Sequence, residues 1–163
     1  MAHIDNMTSL GNRRTFDEYM DSHLNKEPEA DLIFFSFDLN ELKSVNDTCG
    51  HEAGDELIVG AADCMRNVFG PSGRLFRTGG DEFAAIVNYD RDLREKLVNE
   101  LTDSFHQWRG KTCSALSISM GYVCSDEKPG VSLEWMRREA EKRMYSQKSD
   151  YYRQEGKDRR GRQ

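Results

Sequence analysis

No apolar run in this chain approaches the roughly 20 residues needed to cross a bilayer, so no contact with a membrane is expected of it. The opening Met1-Ala2-His3-Ile4-Asp5 has neither the basic start nor the apolar stretch of a secretory signal, and the expected compartment is the cytoplasm. Paired cysteines are missing too. Cys49, Cys64, Cys113 and Cys124 are widely spread with no CxxC, which argues against zinc ligands or a disulfide framework and for reduced, partly buried thiols. There is no basic excess: 23 Lys and Arg stand against 29 Asp and Glu, a formal charge of −6, whereas a long nucleic acid demands a basic surface. A single nucleotide is a different matter, because a metal ion and a few lysines can neutralise it locally. No internal repeat or low-complexity linker occurs, and 163 residues suffice for one domain around one core.

What is present fits a folded domain with a charged exterior, at 37% apolar and 32% charged residues. Asn12 is placed to cap a helix whose apolar stripe is Phe16, Tyr19, Met20, His23 and Leu24. Glu27-Pro28-Glu29 breaks the chain. Leu32 to Phe37 then reads as a central strand covered on both faces, ending at Asp38. A short helix over about Glu41 to Thr48 stops at Gly50, and a longer one runs to about Phe69. Beyond the turn Gly70-Pro71-Ser72-Gly73, strands Leu75–Thr78 and Phe83–Val87 form a hairpin with the acidic tip Gly79-Gly80-Asp81-Glu82. A helix over about Asp92 to Trp108 follows. Leu116 to Tyr122 alternates as a strand, and Ser132 caps a last helix to about Asp150 with Met136, Ala140 and Met144 inward. The expected architecture is a mixed sheet with helices against it.

Asp38 closes an apolar strand, and a carboxylate is costly to bury there unless something positive meets it. Either a ligand site lies at the strand end, or Asp38 caps the helix starting near Glu41, together with Asn40. A second acidic cluster, Asp81-Glu82, at a neighbouring strand end would complete an oxygen-ligand set for a hard divalent cation; alone, an acidic turn is ordinary solvated surface. Lys43 and Asn46 lie three apart on one helical face, suited to a phosphate and a base but equally to solvent. His51 and Asp55, four apart, can share a cavity, though Asp55 also suits a helix first turn.

The order and spacing of these signals resemble the GGDEF domain of diguanylate cyclases. The resemblance rests on Phe37-Asp38-Leu39-Asn40-Glu41-Leu42-Lys43-Ser44-Val45-Asn46 through Gly50-His51-Glu52-Ala53-Gly54-Asp55, then Arg77-Thr78-Gly79-Gly80-Asp81-Glu82-Phe83. It extends upstream over Asn6 to Arg14 and downstream over Ser117 to Gly121 and Ala140 to Lys148, nearly the whole chain. It implies an α+β fold with a largely antiparallel, palm-like sheet, and condensation of two GTP into cyclic di-GMP with release of two pyrophosphates. The implied metal ligands for Mg²⁺ or Mn²⁺ are Asp38, the carbonyl of Leu39, Asp81 and Glu82. Asp81, Glu82 and Lys43 form the implied catalytic set; Asn46, His51 and Asp55 read guanine; Gly79 and Gly80 turn beside the nucleotide; Lys43 and Lys148 meet the triphosphate.

Since one site takes one GTP, a transient homodimer is implied. The chain is read as one catalytic domain, 1–163, of a larger signalling protein, with a basic tail over 153–163. An inactive module that binds GTP or cyclic di-GMP is the alternative. Departures from the family pattern are Asn40 for a second aspartate, Glu141 for an aspartate, and Arg153 one residue away from the usual second cation. The product-inhibition motif would fall at Gly70-Pro71-Ser72-Gly73 and is absent.

Overall fold

The computed structural model describes residues 3–28, 30–113 and 115–156. Helix α1 (Arg13–His23) starts where the Asn12 side-chain oxygen accepts the Thr15 amide at 2.9 Å, and it buries Phe16 and Met20. Strand β1 (Leu32–Leu39) is buried along all but its first residue. Its alternate side chains serve two cores: Ile33, Phe35, Phe37 and Leu39 join one, and Phe34 joins the other. This is why the run reads as continuously apolar rather than alternating.

Helix α2 (Leu42–Cys49) ends at Gly50, whose amide donates to the Asn46 carbonyl with φ +91°. Helix α3 (His51–Phe69) then packs its Leu57, Ala61 and Met65 face on the first core. Strands β2 (Gly73–Arg77) and β3 (Glu82–Asn88) form the expected hairpin. Helix α4 (Arg94–Gln107), strand β4 (Ile118–Cys124) and helix α5 (Leu133–Gln154) complete the chain. The sheet order is β2-β3-β1-β4, with every neighbouring pair antiparallel. The parallel contribution, among the described residues, is the isolated bridge between Gly11 and Phe76. α3 and α4 cover one face of the sheet, while α1 and α5 cover the other.

Two details differ from the periodicity reading. In β4 the alternation is present, but Ser119, Gly121 and Val123 are the buried set, while Ile118, Met120 and Tyr122 are half-buried. The reason is close approach: a Cβ on Gly121 would lie 2.2 Å from both the Ala140 carbonyl oxygen and the Met144 nitrogen of α5. In addition, α5 runs to Gln154, and its inward series Met136, Ala140, Met144 continues through Lys148 and Tyr152. Of the sequence expectations, Glu29 and residues 157–163 of the basic tail lie outside the described residues.

The outer edge of β4 is blunted by side chains. Met120 N donates to Gln147 at 2.6 Å, Arg143 donates to the Tyr122 carbonyl at 2.8 Å, and Cys124 N donates to Glu127 at 2.6 Å. Such capping removes a template for strand addition and ties α5 to the sheet.

Candidate active site

Antiparallel pairing of β1 with β3 sets Asp38 opposite Glu82, and the Leu39 amide donates to the Asp81 carbonyl at 2.9 Å. The two acidic segments therefore meet at one end of the sheet. One carboxylate oxygen from each of Asp38, Asp81 and Glu82 lies within 4.8 Å of the others. Asp38 is buried, at 5% exposure, and the other two are half-buried. From α5, the buried Lys148 brings its ammonium to 3.0 Å from Asp38 Oδ1 and donates to the Leu39 carbonyl at 3.1 Å. The ion pair is close but poorly aligned as a hydrogen bond, so Asp38 Oδ1 keeps unused acceptor capacity. Burial, and next the charge of Asp81, push the Asp38 carboxyl up to about 7; Lys148 pulls the other way, and Glu82 adds to the rise. Three hard carboxylate donors and a backbone carbonyl suit a divalent metal such as Mg²⁺ or Mn²⁺, although the Lys148 ammonium already lies on two of these groups.

The capping alternative for Asp38 does not hold. The residue at the N-cap of α2 is Glu41, not Asp38 or Asn40, and it makes no side-chain capping hydrogen bond. Asn40 is turned away from the acidic cluster: its amide donates to Ser117 Oγ at 3.0 Å and its carbonyl accepts from Ser119 Oγ at 2.8 Å. An asparagine at this position thus belongs to the β1–β4 junction and leaves the cluster intact.

Both sides of the cluster are held by residues that sequence reading did not single out. Glu41 stands at φ +61°, a strained conformation for a non-glycine residue. Its amide donates to the Tyr152 hydroxyl at 2.7 Å, and its carboxylate accepts from the Tyr151 hydroxyl. On the hairpin side, Arg77 donates to the Gly80 carbonyl at 2.9 Å and pairs with Asp5 at 3.1 Å. Burial raises the Asp5 carboxyl, but the two hydrogen bonds from Thr8 and the charge of Arg77 outweigh it and hold it below the usual range.

The glycines play different parts. A Cβ on Gly79 would sit 3.0 Å from Glu82 Oε2, so that glycine leaves room for the carboxylate. A Cβ on Gly80 would meet nothing within 4 Å, and neither glycine adopts a positive φ. Backbone turning therefore does not require them; clearance beside Glu82 and open space at the tip do.

At the α2–α3 corner, Asn46 lies so tightly on Gly54 that an added Cβ would be 1.8 Å from its Oδ1, an oxygen that is buried without a partner. His51 and Asp55 are exposed at the start of α3. Lys43 is exposed and pairs with Asp47 at 3.0 Å, not with the acidic cluster. Arg153 is 78% exposed in its side chain and pairs with Asp150 at 3.5 Å, so it does not reach the cluster. Its neighbour Tyr152 faces inward instead.

An antiparallel sheet ending in this acidic hairpin, with a lysine-bearing helix behind it, is the arrangement of a GGDEF domain. The chain matches the family described as "Diguanylate cyclase, GGDEF domain" over residues 2–154, and it belongs to that family. It is 33% identical over 150 residues to the protein named "Probable diguanylate cyclase DgcI" of Escherichia coli (strain K12), covering 91% of this chain and 32% of that protein. To "Signaling protein YkoW" of Bacillus subtilis (strain 168) it is 30% identical over 157 residues, covering 91% and 19%. The chain thus spans about a third and about a fifth of these two relatives. The solved GGDEF domain of DgcB from Caulobacter crescentus, in complex with c-di-GMP, superposes with a TM-score of 0.76 at 26% identity, over 93% of this chain and 90% of that one. No helix among the described residues is long and apolar enough to cross a membrane.

Proposed function

We propose that this chain is a diguanylate cyclase that joins two GTP molecules into cyclic di-GMP and releases two pyrophosphates. The observation that carries the reading is the convergence of Asp38, Asp81 and Glu82 to within 4.8 Å, beside a lysine. Asp38, the Leu39 carbonyl, Asp81 and Glu82 would hold Mg²⁺ or Mn²⁺. When bound, the metal offsets phosphate charge and acidifies the attacking 3'-hydroxyl.

The chain's own residues select and place the nucleotide. Asn46 donates its amide to guanine O6, and Asp55 accepts from N1–H and N2–H with His51 alongside; adenine presents the opposite pattern. Lys43 is free to swing to the triphosphate, since an exposed i,i+4 pair with Asp47 is worth only about 0.3–0.5 kcal/mol. Lys148 adds a second positive charge, offsetting what develops on the phosphates. Open space at Gly80 admits the sugar and phosphates beside the hairpin tip. The domain is read as the catalytic part of a longer signalling protein. Two such domains face each other in a transient homodimer, and proximity supplies much of the rate.

A second reading, a module that binds GTP or cyclic di-GMP without turnover, is favoured by one observation. Tyr152 occupies the Glu41 amide and Arg153 points outward, leaving α5 one cation short of the usual pair. Chromatography and mass spectrometry after incubating concentrated protein with GTP and Mg²⁺ or Mn²⁺ separate the two. Cyclic di-GMP from the parent, and none from Asp81→Ala/Glu82→Ala, supports the cyclase. GTP binding with no product, even after fusion to a dimeriser, supports the module.

A further inference from the structure

The ammonium of Lys148 touches Asp38 Oδ1 at 3.0 Å and the Leu39 carbonyl at 3.1 Å. These are two of the four groups assigned above to the metal. Lys148 is 7% exposed, and a lysine is held at such depth only where negative charge meets it. Here that charge belongs to a carboxylate the metal also needs. A divalent cation taking the same two oxygens sets a second positive charge against the ammonium in a partly desolvated site, where like charges repel strongly.

We infer that Lys148 is a resident cation of the acidic cluster: it holds Asp38 and the Leu39 carbonyl in the metal-free protein, and a divalent metal must displace it to bind. The inference rests on the metal reading of that cluster. It gives Lys148 two successive positions, first on the oxygens and then, once the metal has entered, free to meet phosphate. The helix need not move for this. Tyr152, one turn further on, anchors α5 to the Glu41 amide at 2.7 Å, and the backbone of α5 lies directly on Gly121. The four-carbon lysine stem alone supplies the travel. In the resident position the ammonium also lies 5.7 Å from the Tyr152 ring centroid, a cation–π contact that favours staying until a stronger cation arrives.

A purely structural lysine and a competing one have opposite signatures. Removing a structural support loosens the oxygens and weakens metal binding; removing a competitor tightens it. The test is titration of Mn²⁺ into the nucleotide-free protein, with free Mn²⁺ read by electron paramagnetic resonance. Parent, Lys148→Met, Lys148→Gln and the remote control Lys96→Met are compared. Both Lys148 variants are expected to bind Mn²⁺ about tenfold more tightly than the parent, with Lys96→Met unchanged. Mn²⁺ should also raise the melting temperature of the Lys148 variants by more than that of the parent. If Lys148→Met does not fold without metal, Lys148→Gln, which keeps a donor for the Leu39 carbonyl, carries the comparison. Equal or weaker Mn²⁺ binding by the folded variants overturns the inference while leaving the metal site standing. Mn²⁺ binding by neither parent nor variants overturns the metal reading, and this inference with it.

Discussion

Replacing Gly121 with alanine tests how rigidly α5 is delivered to the acidic cluster. The added Cβ would stand 2.2 Å from the Ala140 oxygen and the Met144 nitrogen, where ordinary contact begins near 3.4 Å. Helix α5 therefore has to retreat from β4 by about 1 Å, because both obstructing atoms are helix backbone and cannot rotate aside. Overpacking of a core ordinarily costs about 1–3 kcal/mol, and a backbone clash belongs at the top of that range. In a domain of this size each kcal/mol lowers the melting temperature by about 2–4 °C, so Gly121→Ala should melt about 6–12 °C below the parent. The same retreat stretches the 3.1 Å contact from Lys148 to the Leu39 carbonyl and the 2.7 Å contact from Glu41 to Tyr152. Cyclic di-GMP formation, assayed well below the melt, should fall as well. Calorimetry shows the first effect and product chromatography the second. A melt within about 2 °C of the parent, with full turnover, would refute the argument that α5 is pinned by this contact.

Asn46→Ala should leave the melting temperature unchanged or slightly raised, since it deletes a buried oxygen without a partner, yet raise the KM for GTP by about tenfold or more. A large loss of stability without a change in KM would reassign Asn46 to packing. Asp5→Asn should destabilise the protein by about 2 kcal/mol at pH 7, measured by urea unfolding. Its carboxyl is held below the ordinary value of 3.8, so the stability it contributes is present above that pH and is lost as pH falls through the lowered folded value. The gap between parent and Asp5→Asn should therefore close towards acid, and a gap constant down to pH 2 contradicts the ion pair with Arg77. Pro71→Ala and Ser72→Ala should not alter inhibition by added cyclic di-GMP; submicromolar inhibition abolished by either change would place a product site at this turn.

Most of the framework was legible in the sequence because its signals are local. Asn12 and Ser132 cap the helices they precede, Gly50 ends α2, and the apolar run over residues 32–37 becomes β1. The acidic cluster was legible because each half ends a strand. What stayed hidden depends on contacts far apart in the chain. Tyr152 bonds an amide 111 residues away, and Arg77 pairs with a carboxylate 72 residues away. The inward series of α5 looked finished at Met144, because Lys148 and Tyr152 are residue types expected at a surface. Gly121 is buried under the backbone of α5 and Ser119 is tied to Asn40, neither of which a period-two pattern encodes.

The register that builds the core also builds the site. Phe37 pairs with Phe83, both almost fully buried in the first core, and the next pair along is Asp38 with Glu82 on the opposite face. A slip of one residue between β1 and β3 would turn Glu82 into the phenylalanine layer and carry Phe83 to the α5 side. Among the described residues that layer offers no cation, so the slipped carboxylate would be buried without compensation, at a cost on the order of several kcal/mol. Apolar pairing thus excludes the arrangements in which the carboxylates fail to meet. Their mutual repulsion, which helps to raise the Asp38 carboxyl to about 7, is in turn offset by Lys148, which reaches Asp38 Oδ1 from α5. The acidic cluster is consequently a product of sheet register and helix docking together, and a change in either should be felt first as altered cation affinity.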